Sequence, residues 1–200
     1  MLFASPPWEE VTYWSVDLET GGLDPRSAGL LAVGMVPVRG GTIRLGEAYQ
    51  SLVRPRPEDD ISHDSVRAHQ LVPGDVREAP ALEAVLLEVD RRLREGVLLV
   101  HQAAIDVPFL RRAHEAAGLR WPRPRVVDTV DLLVRAADRA RFIDPSLPAV
   151  EPLLNLAAAR RHYGLPDYAA HDALTDAVAA AELFLVLRRA IGARSLRDLS

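Results

Sequence analysis

A chain of 200 residues with 48% apolar side chains has the size and composition of one domain with a real core, and its net charge of −4 argues against coating nucleic acid through bulk positive charge. All 24 basic residues are arginine, so any basic phosphate contact would use a bidentate guanidinium fork. There is no cysteine, which excludes disulfides and thiolate metal sites. With no basic leader before an apolar run and no stretch able to span a bilayer, the expectation is a cytoplasmic protein without a membrane partner.

In chain order, residues 1–10 read as an irregular lead. Tyr13 to Asp17 reads as a strand, and the apolar run Leu30 to Val38 as a second, ended by the hairpin signal Arg39-Gly40-Gly41. Thr42 to Val53 reads as the returning strand, and the proline- and acid-rich segment Arg54 to Asp60 as a loop. Ser65 to Gln70 fits a short helix; Ala81 to Leu93 has helical apolar spacing, with Pro80 at its start. Val97 to Val100 is a buried-strand candidate. A helix over Ala104 to Ala117 follows, stopped by Gly118. Arg125 to Val127 fits a short strand, Val130 to Ala140 a helix, and residues 142–152, with three prolines, a loop. Helices over Leu153 to Tyr163 and Ala173 to Ile191 complete the chain. Three hairpin-linked strands followed by alternating strands and helices predict an α/β fold with a mixed sheet flanked by helices, in a single domain over residues 1–200.

The chemistry starts at V-D-L-E-T-G-G-L-D-P, Val16 to Pro25. Asp17 and Glu19 are two residues apart in a strand, so both point to one face, beside a core. Paired carboxylates there repel each other and resist burial unless a divalent cation joins them, and oxygen-only ligands suit magnesium or manganese. Gly21-Gly22 then permits a sharp turn and close approach of a ligand to the backbone. Asp106, in H-Q-A-A-I-D, falls in the first turn of a helix; alone it fits an acid favoured by the helix dipole. Asp176, in H-D-A-L-T-D-A, sits on a largely apolar helix, where an unpaired acid is costly. His171 stands five residues before it; alone it fits a capping or exposed histidine.

Together these three segments resemble the exonuclease motifs of the DnaQ-like DEDDh family, in the same order and at similar separations over residues 12 to 190. A-H-Q-L-V-P-G-D-V-R-E-A-P and V-V-D-T-V-D-L-L resemble the family's intervening segments. The resemblance implies an RNase H-like fold with a mixed five-stranded sheet. It also implies two divalent ions, Mg²⁺ or Mn²⁺, held by Asp17, Glu19, Asp106 and Asp176, with His171 as general base. The alternative subfamily has Tyr four residues before the last Asp; here that position is Asp172. By resemblance, Thr20, Gly21 and Leu23 hold the 3′-terminal nucleotide, His69 and Ile105 flank its base, and His101 and Gln102 lie near the scissile strand. Core packing is the competing reading for Leu23 and Ile105. Gly21 stands where Thr is common, Gln102 where Asn is common and Ile105 where Phe is common, so substrate preference is the open question.

The implied activity is 3′→5′ exonuclease action on DNA 3′ ends, single-stranded or frayed, releasing nucleoside 5′-monophosphates. An RNA-trimming or oligoribonucleotide-degrading enzyme of the same fold is the alternative. A non-catalytic module that binds nucleic-acid ends or a polymerase is a third reading, against which all five catalytic-type residues speak. A proofreading or repair role, a polymerase partner and the oligomeric state stay open. Nucleophile-elbow, P-loop and dinucleotide-binding motifs are absent. The arginine pairs at 91–92, 111–112, 160–161 and 188–189 read as solvated helix faces rather than a nucleic-acid track.

Overall fold

The computed structural model describes residues 5–148 and 151–200. Six strands form one sheet: β1 (Tyr13–Thr20), β2 (Leu30–Arg39), β3 (Thr42–Ile43), β4 (Tyr49–Leu52), β5 (Val97–Val100) and β6 (Val126–Asp128). The order is β3-β2-β1-β5-β6, with β4 also pairing the outer edge of β2. The sheet is therefore five positions wide, antiparallel through β1 and parallel from β1 to β5 to β6, as expected. Gly40 and Gly41 take φ of 56° and 73° to make the two-residue hairpin turn between β2 and β3.

The predicted returning strand is split into β3 and β4 by a single 3₁₀ turn, Leu45–Glu47. Pro37 of β2 explains the break. Its carbonyl faces this edge, where it accepts from the Arg44 N–H at 2.9 Å, but proline offers no N–H to continue the ladder.

Seven helices cover the two faces. They are α1 (His63–His69), α2 (Pro73–Val76), α3 (Leu82–Leu93), α4 (Ala103–Ala116), α5 (Thr129–Ile143), α6 (Leu156–His162) and α7 (Ala173–Ile191). The alternation of β1 decides which layer each side chain joins. Trp14, Val16 and Leu18 pack with α3 and α4. Tyr13 packs with α5 and α7, and the Ser15 hydroxyl donates to the Ala177 carbonyl of α7 at 2.7 Å. Asp17 and Glu19 continue that second row towards the end of the strand. The predicted loop at 142–152 begins two residues later than expected, because α5 runs to Ile143; residues 149–150 of that segment lie outside the described residues. No described helix is long and apolar enough to cross a membrane.

Candidate active site

The parallel strands β1, β5 and β6 end at one edge of the sheet, and the site is built there. Asp17 and Glu19 come from β1; a register shift follows at Glu19–Thr20 and turns the chain away from the sheet. Asp176 comes from the first turn of α7. One carboxylate oxygen each from Asp17, Glu19 and Asp176 lies within 4.8 Å of the others.

Glycine makes this approach possible. Asp17 pairs in register with Gly34 of β2, and a Cβ on Gly34 would lie 2.2 Å from the Ala173 carbonyl carbon and the Leu174 nitrogen. The start of α7 therefore rests directly on β2 beside Asp17. Asp172 caps the helix, accepting from the Thr175 N–H at 2.9 Å and from the Gln50 amide of β4 at 2.8 Å. His171 precedes the cap with φ of 71°, a left-handed conformation uncommon for a non-glycine residue. Its backbone N–H donates to Asp176 Oδ2 at 2.7 Å, and it is exposed.

Asp106 enters from α4 and is 5% exposed. Its oxygens fall outside the 4.8 Å group, yet its charge is the strongest of those that bear on Asp17. The placement of α4 depends on Asp128 at the end of β6, which accepts from the Gln102 N–H at 2.9 Å, the Ala103 N–H at 2.7 Å and the Val130 N–H at 2.9 Å. One carboxylate thus satisfies the start of two helices. Gln102 takes φ of 78° at this bend.

The four acids repel one another in a desolvated setting. Burial, then the charges of Asp106, Asp176 and Glu19, holds the Asp17 carboxyl well above its ordinary range. Burial, then Asp176, pushes Glu19 up to about 7. Burial, then the Asp128 charge, pushes Asp106 up to about 8. Burial also raises the Tyr168 hydroxyl, and Asp176 beside it adds to the rise. Among the described residues no arginine forms an ion pair with any of the four acids. A cluster of oxygen donors that lacks its own positive charge fits a hard divalent cation, and Mg²⁺ or Mn²⁺ matches that donor set.

Beside Glu19 opens a cleft of about 650 Å³ that gathers Thr20, Gly21, Leu23, His69 and Ile105. Leu23 is 87% exposed and Ile105 39% exposed, so neither is core packing. Gly21 has a structural reason to lack a side chain, since a Cβ would lie 2.0 Å from the Asp60 carbonyl oxygen. Its own carbonyl accepts from the Ser62 N–H at 2.7 Å and the Ser65 hydroxyl at 2.8 Å, which ties the start of α1 over the loop.

His69 is buried as a neutral ring with a defined tautomer. Nδ1 accepts from the Leu71 N–H at 3.0 Å, so Nε2 carries the proton and donates to the Thr20 carbonyl at 3.3 Å. Burial lowers its pKa in keeping with that state. His101 and Gln102 do not join the cleft. Burial keeps His101 neutral; Nε2 donates to the Leu154 carbonyl at 2.7 Å, and Nδ1 accepts from the Thr129 hydroxyl at 2.7 Å. Gln102 is exposed at the bend before α4.

Four contributors were not singled out as site residues from the sequence: Gly34, Asp128, Asp172 and Tyr168. Asp128 and Asp172 carry a local signal, an Asp immediately before a helix. Gly34 matters through Ala173 and Leu174, far away in sequence, and Tyr168 through the nearby Asp176.

The family model described as Exonuclease, of the RNase T type, matches residues 15–184. A DNA polymerase III subunit epsilon-like protein of Rhodobacter capsulatus is 33% identical over 195 residues, covering 96% of this chain and 26% of the relative. The chain belongs to the DnaQ-like exonuclease family. A PolC-type DNA polymerase III of Thermotoga maritima is 30% identical over 159 residues, 79% of this chain and 11% of that protein. The chain thus spans about a quarter or less of the length of these relatives. Escherichia coli Exonuclease I has the same fold. Its zinc-bound complex with single-stranded DNA aligns with a TM-score of 0.76 at 17% identity, over 90% of this chain and 41% of that one. Its complex with a dT13 oligonucleotide gives 0.74 at 16% identity, over 89% and 41%. This member of the family has the RNase H-like fold.

Proposed function

We propose that this nuclease is a divalent-metal-dependent 3′→5′ exonuclease of the DEDDh type, acting in the cytoplasm on DNA ends and releasing nucleoside 5′-monophosphates. The observation that carries the reading is the meeting of Asp17, Glu19 and Asp176 within 4.8 Å at the mouth of a cleft large enough for a nucleotide. The whole chain is read as one exonuclease domain, and the polymerase relatives favour DNA over RNA as substrate.

Asp17, Glu19 and Asp176 would hold one ion, and Asp106 would help to hold a second. Bound there, the two ions neutralise phosphate charge, lower the pKa of the attacking water and stabilise the leaving 3′ oxygen. The residues of the chain do the rest. The backbone of Thr20 and Gly21 and the side chains of Leu23 and Ile105 seat the terminal nucleotide in the cleft. His69 fixes the Thr20 carbonyl and so the shape of the seat. His171 takes the proton from the water, and the bend at φ of 71° keeps it exposed beside Asp176. The His171 N–H orients the Asp176 carboxylate from behind.

A side-by-side digestion of single-stranded DNA, mismatched duplex DNA and short RNA with Mg²⁺ or Mn²⁺ tests the reading. Single-nucleotide shortening of DNA from the 3′ end is expected. Faster shortening of the RNA would instead make the protein an RNA-trimming member, since nothing but the 2′-hydroxyl separates the two substrates at the sugar. No shortening of any substrate with either ion would remove the enzyme reading.

A further inference from the structure

A groove of about 240 Å³ lies beside the nucleotide cleft. It runs between Pro25 and Arg26, on the loop after β1, and Pro108, Arg111 and Arg112 on α4. Leu23 and Asp24 of the same loop, and Ile105 one turn earlier on the same helix, line the cleft itself, so the same two elements frame both depressions. Three arginines face the groove against one acid, Glu115, on a protein whose net charge is −4.

The arginine pairs of the chain differ in what holds them. Arg91 and Arg92 are neutralised by Glu88, Arg160 pairs with Glu182, Arg161 approaches Asp167, and Arg188 lies 4.0 Å over the Trp8 ring. Arg26 is bound by Asp24 at 2.9 Å. Arg111 and Arg112 are exposed and, among the described residues, form no ion pair.

We propose that this groove binds the phosphates of the strand upstream of the 3′-terminal nucleotide, with Arg111 and Arg112 as the principal contacts. The inference rests on the cleft being the 3′-end site. Guanidinium groups without a carboxylate partner present free forks to phosphate, and Arg111 and Arg112 do so from a groove beside the cleft, whereas the similarly exposed Arg189 lines neither. From Ile105 to Arg112 is seven residues, about 10 Å along the helix axis. The arginines therefore act on a strand and not on a single nucleotide, and they set affinity rather than the rate of the chemical step.

The test compares the Arg111→Ala/Arg112→Ala double variant with the wild type on two substrates: the p-nitrophenyl ester of thymidine 5′-monophosphate, which has no upstream phosphate, and a labelled single strand of about 15 nucleotides. The ester is expected to turn over as in the wild type. For the oligonucleotide, KM is expected to rise roughly tenfold with kcat retained. The slope of log Kd against log salt should fall by about 1.4, the sum of two single-strand phosphate contacts. An Arg161→Ala/Arg189→Ala variant, which removes the same charge elsewhere, should leave the oligonucleotide KM unchanged. An unaltered KM in the groove variant, or an equal rise in the control, would overturn the groove. A wild type inactive on both substrates would overturn the 3′-end reading itself, a result distinct from loss of the groove alone.

Discussion

Asp17 and Glu19 share a face of β1 because strand side chains alternate, and that face meets α7, where Asp176 completes the group. The raised carboxyl values follow from this crowding and give a stability signature. Glu19 lies near 7 and Asp106 near 8 in the folded chain, against ordinary values of 4.5 and 3.8. The folded state thus binds more protons than the unfolded state between about pH 4 and pH 8. Without divalent ions, stability is full below that window and falls as pH rises through it. The melting temperature of EDTA-treated protein should drop by on the order of 5 °C from pH 5.5 to pH 8.5. Mn²⁺ should restore it at the higher pH and do little at the lower. Asp106→Asn should flatten the metal-free profile; a wild-type profile already flat would contradict the account of the acids. For His171→Ala, a 10²- to 10⁴-fold loss of kcat is expected, with the Mn²⁺-induced melting shift kept. An unchanged rate across neutral pH would exclude His171 as the base.

The elements hold these residues through two close approaches. Gly34→Ala places a methyl about 2.2 Å from the backbone at the start of α7, so the helix must shift. Loss of roughly 1–3 kcal/mol of stability is expected from the overpacking, with about 10²-fold lower kcat from displacement of Asp176. Unimpaired kcat would show that α7 is not positioned by this contact. Gly21→Thr should displace the Asp60–Ser62 segment and raise KM more than it lowers kcat, because the seat of the nucleotide moves and the acids do not. The sequence made most of these elements readable. Val97–Val100 and Ala173–Ile191 match the structure residue for residue, since each has a clean apolar pattern and a clear stop. The Asp17–Glu19 pair and Asp176 were readable for a chemical reason: a carboxylate in an apolar setting is costly to bury unless it is paired or holds a cation. Asp106, alone an acid favoured by the helix dipole, was read as a ligand only through the resemblance to the family motifs. The break between β3 and β4 was not, because it depends on Pro37 of a neighbouring strand. The four-residue α2 is too short to carry a helical period. The role of Gly34 was hidden because its partners, Ala173 and Leu174, lie near the far end of the chain. The exposure of Leu23 and Ile105 likewise follows from packing that an apolar side chain does not announce.

At the scale of the whole molecule, one sheet edge collects the acids while the loop after β1 and the helix α4 frame both the cleft and the arginine groove. In the proposed function the net negative charge does not oppose nucleic-acid binding, because Arg111 and Arg112 line the groove beside the cleft and the acids would face cations. The order of the strands explains how distant segments meet: β1 is central, so α4 and α7, both far later in the chain, reach its end. The central claim is that four carboxylates, loaded with divalent ions, shorten a nucleic acid from its 3′ end. It is tested most directly by incubating a 5′-labelled single strand of DNA with wild-type protein and with Asp17→Ala, each with Mn²⁺ and with EDTA. A ladder descending one nucleotide at a time is expected only for wild type with Mn²⁺, with at least about 10³-fold less product from Asp17→Ala. Equal digestion by Asp17→Ala, or digestion by wild type in EDTA, would contradict it.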